Sequence, residues 1–167
     1  RLTEVAKDPA GLNLRTATAY DATGRVLTVT AGYGTAAATT VQYAYDALGR
    51  RTGETVAPGS LNLTTVYAYD PNGNVVRRTD ANGAVTRFYY DEANRLIYSV
   101  DATGALTRNR YDANGRLTAT RSYALRLTQA QQSALMDTTT IAALDALVVE
   151  SASDAGRYLV YNRDGQP

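Results

Sequence analysis

The sequence predicts a mainly β chain: an antiparallel β-meander of short repeats, interrupted once by a two-helix insertion. Three observations predict it. A four-residue word, Asp-x-x-Gly, recurs at a pitch that leaves room only for short strands. Tyrosine dominates the aromatics, with 13 Tyr against one Phe and no Trp. The phase of the repeat breaks after Tyr123 and returns at Tyr161, and the intervening stretch has helical periodicity.

The repeat comes first, because a missed repeat mis-assigns the whole fold. Tyr-Asp pairs start at Tyr20, Tyr45, Tyr69, Tyr90 and Tyr111, in YDATGR, YDALGR, YDPNGN, YDEANR and YDANGR. A second turn word lies between them at Asp80-Ala-Asn-Gly83 and Asp101-Ala-Thr-Gly104. From Asp70 onward the turns therefore fall every 10 or 11 residues. Segments of about six or seven residues between turns describe strands of roughly 20 Å in a meander.

The turn word has a mechanical basis. Asp at the first position (Asp21, Asp46, Asp70, Asp91, Asp112) accepts hydrogen bonds from backbone N–H groups of the turn. Gly at the fourth (Gly24, Gly49, Gly73, Gly115) supplies a positive φ. Together they predict a type I turn closing into a G1 bulge. The exceptions obey the same rule. Asn94 replaces Gly in YDEANR, and Asn tolerates the left-handed region best after Gly. Asn162 replaces Asp in YNRDG and is able to form an Asx-turn. The turns are predicted at 21–24, 46–49, 70–73, 80–83, 91–94, 101–104 and 112–115.

Tyr suits positions that bury a ring and keep its hydroxyl bonded. With a near-constant period, Tyr20, Tyr45, Tyr69, Tyr90 and Tyr111 are predicted to form a ladder of rings along the sheet. Arg25, Arg50, Arg95 and Arg116, just after the turns, are placed to pair with an Asp. A Tyr stripe fills a face; its sharper reading is a carbohydrate- or aromatic-binding surface, which would make the chain an extracellular module that recognises carbohydrate or a cell-surface partner through the ladder.

These words resemble the YD repeat of RHS-repeat proteins, a family that includes bacterial RHS polymorphic toxins, toxin-complex B and C shell components, wall-associated proteins and teneurins. The resemblance covers nearly the whole chain outside about 125–152. It implies a β-sheet that spirals into a shell or filament and, in toxin members, encloses a C-terminal effector. That family also has an autoproteolytic segment rich in Asp-Pro-x-Gly. Asp8-Pro9-Ala10-Gly11 and Asp70-Pro71-Asn72-Gly73 carry that word, but both lie in turn phase and lack the flanking pattern, so no protease activity is carried over.

The insertion contains LTQAQQSALMDTTTIAALDALVVESASD. Thr128 and Gln131 fit a capping box. The Asp137–Thr140 run offers N-caps. Ile141, Leu144, Leu147 and Val148 share a helical stripe, with Asp145 and Glu150 off it. Two helices are predicted, about 128–136 and 139–150, covering the sheet or serving as a plug or partner-binding element. The expected organisation is a repeat array over 1–124, the insertion over 125–152, and a further repeat beginning at 153–167.

Net charge is +1, from 17 basic and 16 acidic residues, which argues against a nucleic-acid surface. Without His or Cys, triads, disulfides and the usual zinc sites are excluded. Asp70-Pro-Asn-Gly-Asn74 does not fit an EF-hand loop. Asn62-Leu-Thr64 matches a glycosylation sequon, relevant only in a eukaryotic secretory protein. No apolar run reaches membrane-spanning length. The expectation is a structural protein, not an enzyme, without cofactor and without a membrane span. It is secreted or on the cell surface, of bacterial origin. Its partners are neighbouring repeats or other copies of the chain, an enclosed toxin domain, or glycans.

Arg1-Leu2-Thr3 matches the tail of a repeat word, compare Gly115-Arg116-Leu117-Thr118, and the chain stops inside Asn162–Gly165. The expectation is therefore a part of a longer array with both sheet edges open. Alone, it would associate head-to-tail into a filament.

Overall fold

The computed structural model describes residues 1–7 and 14–161. The Asp8–Gly11 word and the Asn162–Gly165 turn lie outside the described residues. Twelve strands follow one another in a single antiparallel sheet whose spatial order equals the chain order, β1 to β12, without a crossover. The expected meander is thus the observed fold, an open sheet with two short helices.

The contacts divide the chain into two compact units, residues 1–68 with 79–83, and residues 69–78 with 84–167. The first holds β1 (Leu2–Lys7), β2 (Leu14–Tyr20), β3 (Val26–Ala31), β4 (Thr39–Tyr45) and β5 (Arg51–Val56), and nearly all of β6 (Leu63–Tyr69). Here Val29, Val41, Val56 and Leu63 stand opposite one another in a row across four strands. Thr30–Thr40 and Thr55–Thr64 pair by hydroxyls at 2.9 and 3.0 Å on the other face. Ala17 is the one buried apolar side chain among the described residues of this unit. The sheet here is a single layer, and its order comes from ladders and cross-strand pairs, each pair worth roughly 0.2–1 kcal/mol.

The second unit holds most of β7 (Val75–Thr79), then β8 (Val85–Tyr90), β9 (Leu96–Val100), β10 (Leu106–Tyr111), β11 (Leu117–Ser122), α1 (Gln129–Ala134), α2 (Ile141–Leu147) and β12 (Ala155–Tyr158). It contains the hydrophobic core: Tyr89, Tyr98, Val100, Leu106, Tyr123, Leu127, Leu135 and Leu144. Register explains the composition of that face. Tyr89, Tyr98, Arg108 and Arg121 stand opposite one another across β8 to β11, beside Arg87, Val100 and Leu106.

All seven predicted turns form. In each, the N–H of the fourth residue donates to the Asp carbonyl, from Gly24 to Asp21 at 3.2 Å through Gly115 to Asp112 at 3.0 Å. At Asp21, Asp46, Asp70, Asp91, Asp101 and Asp112 the Asp N–H donates to the carbonyl four residues on, closing the G1 bulge, as Asp21 does to Arg25 at 2.8 Å. Asn94 has φ 59°, beside 79° to 90° at the Gly of the other six.

Two features of the hairpins go beyond the turn word. The register slips again just before the turn, between Ala19 and Tyr20, Ala44 and Tyr45, Tyr89 and Tyr90, and Arg110 and Tyr111. The wider spacing of the early repeats reflects longer loops after β3 and β5, where Gly32, Gly34, Ala57, Gly59 and Asn62 take positive φ.

The helices are shorter than the predicted 128–136 and 139–150. The capping box at α1 forms as expected, with Gln131 N–H donating to Thr128 Oγ1 and Thr128 N–H to Gln131 Oε1. Thr140 caps α2, accepting from Ala143 N–H at 3.2 Å. Both helices end at a residue in extended conformation, Leu135 and Val148. The β-branched pair Val148-Val149 favours extended backbone there. Leu135 is turned into the core instead of continuing α1.

Candidate functional site

Two places concentrate polar side chains: the edge formed by the YD turns, and the underside of the insertion.

At the turn edge each Asp carboxylate organises its own turn. Asp112 Oδ1 accepts from the N–H groups of Asn114 and Arg116, both at 2.9 Å, while Oδ2 takes Arg116 Nε at 2.7 Å. Asp21, Asp46 and Asp91 repeat this with Arg25, Arg50 and Arg95 at 2.6 to 2.7 Å. At Asp112 the Arg116 backbone N–H, together with the Arg116 side chain, outweighs desolvation and holds the carboxyl below the usual range. At Asp21, Asp46 and Asp91 desolvation pushes upward. Hydrogen bonds from the paired Arg, side chain and backbone, override it and lower the pKa.

Arginines lie on rings of the expected tyrosine ladder. Arg25 lies over Tyr45 with its guanidinium carbon 5.0 Å from the ring centroid, Arg95 over Tyr111 at 5.1 Å, and Arg116 over Tyr161 at 4.8 Å. Arg1 lies over Tyr20 at 5.6 Å. Arg25, Arg95 and Arg116 thus each hold their own Asp and cover the Tyr of the next repeat. Such cation–π contacts are worth about 0.5–1 kcal/mol at exposed sites.

The Tyr hydroxyl makes the return link. Tyr45 donates to Val26 carbonyl at 2.8 Å, Tyr90 to Val75 at 3.0 Å, Tyr111 to Leu96 at 3.0 Å and Tyr161 to Leu117 at 2.7 Å. The acceptor always lies two residues after the fourth turn position of the preceding repeat. The β3–β4 ladder starts at Thr28 and the β9–β10 ladder at Tyr98. Val26 and Leu96 therefore sit just beyond the end of a ladder, and the phenol supplies the donor that a strand does not. Phe would fill the space and leave that carbonyl without it. This accounts for Tyr and not Phe at positions 45, 90, 111 and 161.

One repeat departs from the scheme. Asn74 stands where the others have Arg. Its amide donates to Asp70 Oδ2 at 2.9 Å and to Asn94 Oδ1 at 2.8 Å, and Asn72 donates to the same Asn94 oxygen at 2.9 Å. Tyr69 and Gly73 belong to this repeat, at the end of β6 and in the turn.

Under the insertion, strand arginines meet carboxylates. Arg77 and Arg87 approach Asp137 at 3.2 and 3.8 Å. Arg108 pairs with Asp145 at 3.1 Å, and Arg121 with Glu150 at 2.8 Å and Asp154 at 3.0 Å. Asp145, off the apolar stripe of α2, also accepts from Tyr98 hydroxyl at 2.6 Å. Burial, with that hydrogen bond, pushes the Tyr98 phenol far up. Leu144, fully buried, and Ile141, Leu147 and Val148 supply the apolar contact. Gly104 lets the chain approach: Leu127 N–H donates to its carbonyl at 2.9 Å. The sequence reading missed this clamp. Its signal was available in Arg residues sharing strand positions with Tyr and Leu on β8 to β11.

These features define a tandem β-hairpin array whose neighbours are linked by Asp, Arg and Tyr. Residues 69–104 match the family model of the RHS repeat. Solved structures at low identity share the fold. A TcdB2–TccC3–Cdc42 structure is 20% identical with a TM-score of 0.57 and covers 75% of this chain. A TcdB2–TccC3 structure is 21% identical with a TM-score of 0.54 over 72%. A Photorhabdus luminescens Tc holotoxin pore with a TccC3 substitution is 23% identical with a TM-score of 0.54 over 72%. The chain spans about 7% of the length of each of these solved chains. No curated protein matches the sequence. No helix among the described residues is long and apolar enough to cross a membrane.

Proposed function

We propose that the chain is a wall segment of a β-sheet shell that encloses or delivers a toxin. The observation that carries this is the link between repeats. Arg25, Arg95 and Arg116 cover the Tyr of the next repeat, and the hydroxyls of Tyr45, Tyr90, Tyr111 and Tyr161 return to the previous one. A sheet built this way lengthens repeat by repeat and needs no closed core, which suits a long wall. The fold-level likeness to TcdB2–TccC3 structures supports the same reading. In this reading residues 1–124 are array, 125–152 an insertion that covers one sheet face, and 153–167 the start of a further repeat. The partners are neighbouring repeats and an enclosed polypeptide, and the setting is a secreted or surface-exposed bacterial protein. The wall itself is not an enzyme.

An extracellular fibre would use the same links. A glycan-binding face would need free rings, and here Tyr45, Tyr111 and Tyr161 lie under the arginine of the preceding repeat. Cryo-electron microscopy of the natural polypeptide that carries these repeats is the test. A hollow shell with these strands in its wall supports the proposal. An open fibre, or a solid particle without a lumen, refutes it, and saturable binding on a glycan array would favour the surface-recognition reading.

A further inference from the structure

We infer that the third YD repeat holds a binding site for a guanidinium group, supplied from outside the array, where the flanking repeats use their own arginine. The internal pairs define the geometry. Arg25 and Arg95 each make three contacts: the carboxylate of their own turn Asp, the face of the next Tyr, and the carbonyl of the next Asp, at 3.3 Å for Asp46 and 3.4 Å for Asp112. In the third repeat the equivalent groups are Asp70, Tyr90 and the Asp91 carbonyl. All three residues line one open cavity of ≈ 870 Å³.

Asn74 is too short to fill the role. Its amide stops at Asp70 and Asn94, and no arginine stacks on Tyr90 among the described residues. Asn72 and Glu92 also line the cavity, adding an amide and a carboxylate, and so do Arg95, Arg108 and Arg110, of which Arg95 is held by Asp91 and Arg108 by Asp145. The Tyr90 hydroxyl is already used on Val75, so the ring offers its face and not its oxygen. Burial and then the Asp70 carboxylate push the Tyr90 phenol up, which is the field a cation would relieve. A ring face, carboxylates and a carbonyl select a planar cation with several N–H donors. A neutral urea has the shape without the charge. An ammonium has the charge without the plane.

The test is a titration of the full chain, with 13C-labelled tyrosine, by methylguanidinium. The expected result is a saturable shift of the Tyr90 ring resonances with a dissociation constant of about 1–10 mM. Methylurea should produce no such shift. Asn74→Arg should abolish the response, because the new side chain takes the site as Arg25 and Arg95 take theirs, whereas Asn74→Gln should preserve it. A short peptide with one central arginine separates the sources. Tenfold tighter binding than methylguanidinium assigns the site to a polypeptide arginine, and equal binding to a free guanidinium compound. An unmoved Tyr90 signal, an equal response to methylurea, or an undiminished response in Asn74→Arg overturns the proposal. Should Asn74→Arg fail to fold, the comparison with methylurea in the unaltered chain still decides.

Discussion

Gly104 and Gly115 occupy the same position of the same turn word, both with φ +79°, yet replacing them with alanine should have unequal cost. The left-handed backbone charges any L side chain about 1–2 kcal/mol. At Gly115 nothing lies within 4 Å of an added Cβ, so that strain is the whole effect. At Gly104 the Cβ would sit 2.5 Å from Leu127 carbonyl oxygen and 2.7 Å from Gln132 Nε2. The first of these is backbone and cannot rotate away. The 127–132 segment would have to retreat, loosening Leu127 N–H to Gly104 carbonyl at 2.9 Å and Gln132 Nε2 to Leu127 carbonyl at 2.9 Å. Overpacking of this kind costs about 1–3 kcal/mol. Gly104→Ala should therefore cost about 2–5 kcal/mol, against about 1–2 for Gly115→Ala. Urea denaturation measures both. Hydrogen exchange localises the difference: Gly104→Ala should lose amide protection across α1 and α2, and Gly115→Ala should keep it. Equal midpoints, or an insertion whose exchange is unchanged by Gly104→Ala, would refute the reasoning.

Leu144→Ala removes a fully buried side chain between α2 and the sheet and should cost about 2–5 kcal/mol by thermal or urea unfolding; less than about 1 kcal/mol would mean that the insertion is held by its ion pairs alone. Tyr111→Phe keeps the ring under Arg95 and removes the donor to Leu96 carbonyl, for an expected loss of about 0.5–1.5 kcal/mol. A midpoint at or above the parent's would show that Asn109 Nδ2, which donates to the same carbonyl at 3.1 Å, suffices. Asp21, Asp46, Asp70, Asp91, Asp101 and Asp112 all have lowered folded-state pKa values. Lowered values mean that the unfolded chain binds protons first as pH falls. The stabilisation is complete above the unfolded carboxylate pKa of about 4 and is lost on acidification below it. Unfolding midpoints at pH 3 should lie well below those at pH 7, and equal midpoints would show that the turn carboxylates do not contribute.

The turns were legible because Asp-x-x-Gly is a backbone instruction readable one word at a time, and Asn94 shows the instruction surviving a change of residue. The capping box at Thr128 was legible for the same reason. The partners of Arg25, Arg95 and Arg116 were half legible. Their pairing with the turn Asp is local, but their place over Tyr45, Tyr111 and Tyr161 depends on the register between hairpins, which a second bulge beside each turn shifts by one. The helices were overextended because Leu135 and Val148 fit a helical stripe as well as they fit the extended caps they become. Asp145 was placed only off the apolar stripe of its helix. Its role beneath the insertion depends on Tyr98 and Arg108, which lie far away in sequence. Nothing in the words DATG and DANG separates Gly104 from Gly115; only the chain returning at Leu127 does.

The two units stabilise the same sheet by different means, and the difference follows from which faces are covered. In the first, the row Val29–Val41–Val56–Leu63 is half-buried or exposed, and Ala17 is its buried apolar side chain. Hydrophobic burial there is too small to order the strands alone, since a single layer keeps one side of every apolar group in water. The ladders and the links from Arg to Tyr must therefore carry more of the load, and those links act only between adjacent repeats. In the second unit the insertion adds a second layer, so a fully buried Tyr98 and Leu144 become possible. The clamp of Arg77, Arg87, Arg108 and Arg121 fixes where that layer sits. A nearest-neighbour array tolerates such an addition at one place because no distant repeat depends on it. The repeat can thus be written again and again, with cover added only over the stretch that has the arginines to receive it.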